Sequence, residues 1–277
     1  MRRRWLLFGV LMATALGVAS LMRAVADNFD PAEKHCAQNL KRLGQALAMY
    51  LNDYDDHFPL AYQRFSPSEP WQWDTPVAVP RNWQDGSPSG GWTWVNALSF
   101  YTSNAGQVYK SFYCPATLPA KLPNVDYSQR VRSPMPVSYT YNGYLHSYRL
   151  ALVADPSTLP TIWEGLGREH WLGFAPVNPL LRCDRASGKC EFVPCTDPAT
   201  TYPLGEVRLP RQSVWIHRSG VHFVMLDGKL VTRRLGARIA PSNTNPQIDP
   251  FDGYNAQGVP SLARTNACGH LPLFTPQ

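Results

Sequence analysis

Between residues 36 and 54, apolar side chains recur at three- and four-residue spacing: Cys36, Leu40, Leu43, Leu47, Tyr50, Leu51 and Tyr54. That is the period of one helix face. Lys34, Gln38, Lys41, Arg42, Gln45 and Asn52 fall mainly off it. Asp30 offers an N-cap oxygen, Pro31 suits the first helical position and Glu33 completes a capping-box pattern. The pattern predicts a helix from Pro31 to Tyr54, with Pro59 as the stop. An amphipathic helix must cover its stripe, and a sheet is its natural partner.

Farther along, the period changes to two. Val137, Tyr139 and Tyr141 alternate with Ser138, Thr140 and Asn142, which predicts a half-buried strand over Val137 to Tyr144. Thr161 to Glu164 reads as a second strand. Val221, Phe223 and Met225 alternate with His222, Val224 and Leu226, and Leu230 and Val231 follow Asp227-Gly228. This predicts a hairpin whose two-residue turn needs positive φ, which Asp and Gly tolerate. Ser213 to Ile216 supplies a preceding strand, so the sheet is antiparallel at this end.

The remaining segments carry weaker signals. Trp92 to Ser103 fits a short helix with Trp94, Leu98 and Tyr101 on one side, and Val108 to Cys114 an extended run into a Cys-Pro turn. Residues 60–91 form a loop rich in Pro, Ser, Gly and Trp, and residues 168–210 an insertion without regular structure. The tail from Ala240 to Gln277 is polar and loop-like. The expected fold class is α+β: a long N-terminal helix packed on an antiparallel β-sheet, with long Pro-rich loops. Residues 27–277 then form one domain with irregular insertions near 60–91 and 168–210.

Composition and charge sharpen this. Proline, at 26 of 277 residues, is about twice its usual share, which implies many irregular connections. The net charge of +6 suggests nucleic acid, but Arg2, Arg3, Arg4 and Arg23 supply four charges and no acid lies in the first 26 residues. Without that stretch the balance is +2, so the basicity belongs to targeting, and no nucleic-acid partner is expected. Trp5 to Met22 is an uncharged, mostly apolar run of 18 residues behind the arginine stub. Such a run is inserted basic end inside, so the rest of the chain is translocated. Residues 1–26 are thus a signal peptide, cleaved after Ala24-Val25-Ala26, or an uncleaved anchor that keeps the chain on the membrane. Either way the expected location is extracytoplasmic, in the cell envelope or secreted.

An even number of cysteines on an exported chain points to disulfides, and Cys36, Cys114, Cys183, Cys190, Cys195 and Cys268 allow 15 pairings. A Cys183–Cys190 or Cys183–Cys195 bridge would close a small loop. Zinc fits poorly, because no Cys-x-x-Cys pair exists and the 183–195 spacing is wrong for it. Asp53, Asp55 and Asp56 are weak calcium candidates, since no twelve-residue loop with a terminal Glu follows. Trp71, Trp73, Trp83, Trp92 and Trp94 offer a sugar-stacking platform, hence the alternative of a secreted or tethered ligand- or glycan-binding module. No nucleophile elbow, metalloprotease helix, phosphate loop or dinucleotide fingerprint occurs. The chain is expected to be no enzyme and to need no cofactor.

Several blocks in order resemble a family. Cys36 to Gly44, Tyr50 and Asp53 to Pro59 look like the segment after the hydrophobic helix of pseudopilin-like proteins with a prepilin-type N-terminus, related to type II secretion pseudopilins. Phe112 to Pro115, Ser138 to Asn142 and Asp155 to Ser157 ahead of Thr161 to Glu164 follow in the family's order. So does its C-terminal motif of His, nine residues and Asp-Gly, here His217 and Asp227-Gly228. One departure stands out: Gly9-Val10-Leu11 lacks the Glu that follows the family's processing site. The resemblance implies a pilin-like fold, a meeting of Cys36 with Cys114, and a non-enzymatic role in type II secretion or a pilus-like assembly. It further implies pseudopilin-like or secretion proteins as partners. For His217, Asp227 and Gly228 the chemistry favours a structural role, with Asp accepting backbone amides and His bonding a neighbouring loop.

Overall fold

The first helix, α1, spans Pro31–Asp53, and its cap is the one expected: Asp30 Oδ1 accepts the Ala32 N–H at 2.9 Å. Cys36, Leu40, Leu43, Leu47 and Leu51 are buried, whereas Tyr54 is exposed and has left the stripe. The helix ends well before Pro59. Asp55 and Asp56 take left-handed φ of 51° and 58°, and Asp56 N–H donates to Leu51 O at 3.0 Å, closing the last turn. A second helix, α2, covers Trp94–Thr102 and buries Trp94, Val95 and Leu98. This computed structural model describes residues 30–61, 79–80, 83–84, 93–102, 110–121, 125–164, 169–178, 181–183, 190–192, 216–217, 220–233, 244–245, 249–253, 271–272 and 276.

The described strands are β1 (Leu118–Ala120), β2 (Pro136–Val137), β3 (Tyr139–Asn142), β4 (Pro160–Glu164), β5 (Glu169–Leu172), β6 (Val177–Asn178), β7 (Leu181–Cys183), β8 (Cys190–Phe192), β9 (Val221–Met225), β10 (Leu230–Arg233), β11 (Thr244–Asn245), β12 (Asp249–Gly253) and β13 (Leu271–Pro272). The central sheet runs β10-β9-β4-β3-β6, antiparallel except for the parallel β3–β6 pair. A smaller sheet, β1-β5-β2, adjoins it in sequence. The fold is therefore mixed α+β, with an N-terminal helix and antiparallel and mixed sheets.

Side-chain alternation decides which face meets the helix. Tyr139, Tyr141, Ile162 and Val224 join the core that holds Cys36, Leu40, Leu43 and Leu47, and α1 packs on β4, β9 and β10. Gly44 lets the two layers close: a Cβ there would sit 2.6 Å from Val224 Cγ1. Every residue of β3, β4 and β9 is buried. The expected half-buried strand is thus covered on both faces, and it is also split. Val137 pairs with Trp171 in the small sheet, Tyr139 with Glu164 in the large one. The strand stops at Asn142, whose Oδ1 accepts the Tyr144 N–H at 3.1 Å and starts a 3-10 turn over Gly143–Leu145.

Other expectations are corrected. The stretch before Cys114 is not extended: Lys110–Phe112 is a 3-10 turn. Residues 168–210 hold β5, β6, β7 and β8, and the tail holds β11, β12 and β13, strands of two to five residues that are too short to show a period. The hairpin turn is longer than two residues. Gly228 N–H donates to Met225 O and Met225 N–H to Lys229 O, both at 2.9 Å, leaving a three-residue loop with only Gly228 at positive φ, 81°. Of the strand expected over Ser213 to Ile216, only Ile216 is described; it is buried and outside any strand. Residues 1–29 lie outside the described residues. Among the described residues, no helix is long and apolar enough to cross a membrane.

Candidate functional site

The densest chemistry lies where the start of α1 meets the ends of β4 and β9. Cys36, one turn and a half into α1, is bonded to Cys114, 78 residues away, and both are fully buried. Local structure explains why Cys114 is there. Asn39, buried on α1, donates its amide to Lys110 O at 3.1 Å and to Tyr113 O at 2.9 Å, pinning the 3-10 turn to the helix. Cys114 N–H donates to Ser138 Oγ at 2.8 Å, and Thr117 Oγ1 donates to Cys114 O at 2.6 Å. Thr117 Oγ1 also lies 2.9 Å from His170 Nδ1.

Beside the disulfide, β4 ends on Glu164, whose side chain is buried. One oxygen lies 3.0 Å from His217 Nε2; the other accepts the His222 N–H at 2.8 Å. His217 Nε2 is in turn 3.9 Å from Cys114 Sγ. His222 Nδ1 bonds Thr232 Oγ1 at 2.7 Å, and its Nε2 faces Glu33 at 3.6 Å. Tyr139 completes the wall, its hydroxyl donating to Cys36 O at 2.9 Å. His217 Nδ1 and His222 Nε2 find no hydrogen-bond partner among the described residues.

The two imidazoles diverge. Burial works against a charge on His217, but the hydrogen bond and charge of Glu164, with Glu33 and Asp30 adding, outweigh it and raise its pKa. For His222 burial wins, helped by the neighbouring His217, and its pKa falls despite Glu164 and Glu33. Burial and the Glu164 charge push the Tyr139 phenol well above its ordinary range. The arrangement sets His217, hydrogen-bonded to the buried Glu164, against a disulfide, with His222 beside it. Cys36, Cys114, Glu164 and His217 are the only group of three or more candidate metal ligands that converge among the described residues. While the sulfurs are bonded to each other, neither can ligate a metal.

The other expected residues lie elsewhere. Asp227 and Gly228 sit in the hairpin loop at the opposite end of β9 from His217, and Asp227 Oδ1 accepts the Lys229 N–H at 2.9 Å. That loop borders a groove of about 490 Å³ whose other wall is α1 at Gly44, Leu47 and Leu51. Asp53 is engaged by the Tyr101 hydroxyl at 2.8 Å, and its oxygens do not converge with those of Asp55 and Asp56 into a ligand set. Cys183 and Cys190 are Cα partners across β7 and β8, whereas Cys195 and Cys268 lie outside the described residues. Of the five tryptophans, Trp71, Trp73 and Trp92 also lie outside them. Trp83 and Trp94 are fully buried and donate to Gly173 O and Pro176 O, both at 3.1 Å, so these two are core and offer no stacking face.

Sequence reasoning missed Glu164, His222 and Asn39. Glu164 was legible only as an odd acid ending the apolar run Thr161-Ile162-Trp163, and Asn39 as a polar residue beside the stripe. Glu33, read as a capping-box residue, has a carboxylate oxygen 3.6 Å from His222 Nε2. No family model, curated protein or solved structure matches the chain.

Proposed function

We propose that this chain is an exported, non-enzymatic pseudopilin-like envelope protein that presents a pilin-like domain beside the outer face of the cytoplasmic membrane. The observation that carries the reading is α1: it begins at Pro31, nine residues beyond the end of the apolar run at Met22, and its buried side from Cys36 to Leu51 packs on β4, β9 and β10 and on α2. The Cys36–Cys114 bond staples that helix to the segment ahead of β3, as suits a domain folded in an oxidising compartment. In this reading the His217 and Asp227-Gly228 motif is structural. His217 ties the approach to β9 to the end of β4, and Asp227 and Gly228 shape the loop that leaves it.

Fractionation with N-terminal sequencing tests the reading. A membrane-bound chain, oxidised at Cys36–Cys114 and digested by protease added to spheroplasts, is the expected result. A mature N-terminus at Asp27 in the soluble fraction overturns membrane tethering, and a reduced cytoplasmic chain overturns export altogether. Site-directed cross-linking from exposed positions of α1, such as Lys41 or Gln45, would identify partner pseudopilins or secretion proteins.

A further inference from the structure

The site beside the disulfide holds more donors than a staple needs. We propose that, in the dithiol form of the chain, Cys36, Cys114, His217 and Glu164 form a closed site for one thiophilic divalent ion of the zinc class. Metal capture and disulfide formation are then alternative fates of the same two sulfurs. The proposal does not rest on the envelope reading, because it concerns the chain before oxidation or after reduction.

Four observations carry it. One donor atom from each of the four residues lies within 4.8 Å of the others, and all four residues are buried. A tetrahedral zinc site with ordinary bond lengths has donor-to-donor edges of about 3.4 to 3.8 Å. The observed 3.9 Å from Cys114 Sγ to His217 Nε2 and 3.0 Å from His217 Nε2 to Glu164 Oε1 bracket that range. The donors come from four separate places: α1, the turn after Phe112, the end of β4 and the approach to β9. Moreover, the donors are braced from behind, Glu164 by the His222 N–H at 2.8 Å and Cys114 by Ser138 at 2.8 Å. The 78-residue gap between the cysteines hides the set from any local spacing pattern.

The chemistry balances. A dithiol reductant gives two electrons and two protons, the Cys36–Cys114 bond breaks into two thiols, and the dithiol closes to its own disulfide. The ion then displaces both thiol protons to solvent, along with any proton on His217 Nε2, and bonds two thiolates, an imidazole and a carboxylate. A disulfide oxidant then takes the two electrons from the thiolates and two protons from solvent, becoming two thiols, as the Cys36–Cys114 bond re-forms and the ion is expelled. Two thiolates favour zinc or cadmium over calcium or magnesium, and four protein donors leave no position open for substrate. The site would be structural.

The test uses the full chain in mild detergent, reduced under argon with a dithiol, desalted, and titrated with cadmium chloride. Cadmium–thiolate absorption and metal content after a second desalting are read against a Cys36→Ser/Cys114→Ser chain, which subtracts ions held by the other four cysteines. The expected result is about one additional ion per reduced chain, none in the oxidised chain, and an affinity about tenfold or more weaker in His217→Ala. Should the reduced chain lose structure, cadmium is expected to restore its circular dichroism. No additional ion, no restoration, or an affinity indifferent to His217→Ala overturns the proposal.

Discussion

Glu164 accepts from two donors with its two oxygens, His217 on one side and the His222 amide on the other, and has no access to water. Deleting it strands the buried His217 ring nitrogen and the buried His222 N–H together. Glu164→Ala is therefore expected to cost about 3–5 kcal/mol, the scale seen when one partner of a buried pair is removed. Chemical denaturation measures this, and a loss below about 1 kcal/mol would show that the pair contributes little. The double variant with His217→Ala should lose less than the sum of the singles, because the orphaned partner is gone. Tyr101 stands beside Asp53, its hydroxyl donating to the carboxylate at 2.8 Å. Burial, with the hydrogen bond and charge of Asp53, pushes its phenol up to about 12 from 10. Its folded pKa lies above the unfolded value, so its contribution to stability is complete below pH 10 and is lost as pH rises through about 12. NMR titration of the Tyr101 ring should show the raised value, and Asp53→Asn should bring it back toward 10. An unchanged midpoint in that variant would remove Asp53 as a cause.

At Gly44 the helix and β9 come into close approach. Glycine inside a helix is less stable than alanine by about 0.5–1 kcal/mol in isolation. Here, however, a Cβ would meet Val224 Cγ1 at 2.6 Å, and valine on a strand has little rotamer freedom to yield. Gly44→Ala is expected to destabilise by about 1–3 kcal/mol, the cost of overpacking. Val224→Ala in the same chain should recover part of that loss. If Gly44→Ala raised the melting temperature instead, the helix would not lie against β9 as described. The helix end is also an element-scale finding: two successive aspartates in left-handed backbone stop α1, a place where glycine is usual.

At the scale of the molecule, the Cys36–Cys114 disulfide connects α1 to the segment ahead of β1. Cys183 and Cys190 are opposite one another in the β7–β8 pair, and directly opposed antiparallel residues stand about 4.5–5.5 Å apart at Cα, inside the range a disulfide spans. Non-reducing peptide mapping is expected to recover this bond alongside Cys36–Cys114. A Cys183–Cys195 peptide would show that β7 and β8 pair otherwise.

Some of this was legible from the chain alone, because it depends on local chemistry. The stripe from Cys36 to Leu51 fixes a helix face, Asp30-Pro31 fixes its start, and the alternation around Val221 to Met225 with Gly228 fixes a reversal. Each is a period or a dihedral demand that neighbours in sequence express by themselves. What the tertiary structure decided is everything that depends on distant partners: that both sides of β4 are dry, where Val137 and Tyr139 part company, and that Glu164, His217 and His222 share one dry site with Cys36 and Cys114. A lone glutamate or asparagine carries no mark of burial in its own neighbourhood. Only the packing of α1 across β4 and β9 removes the water and makes those residues partners.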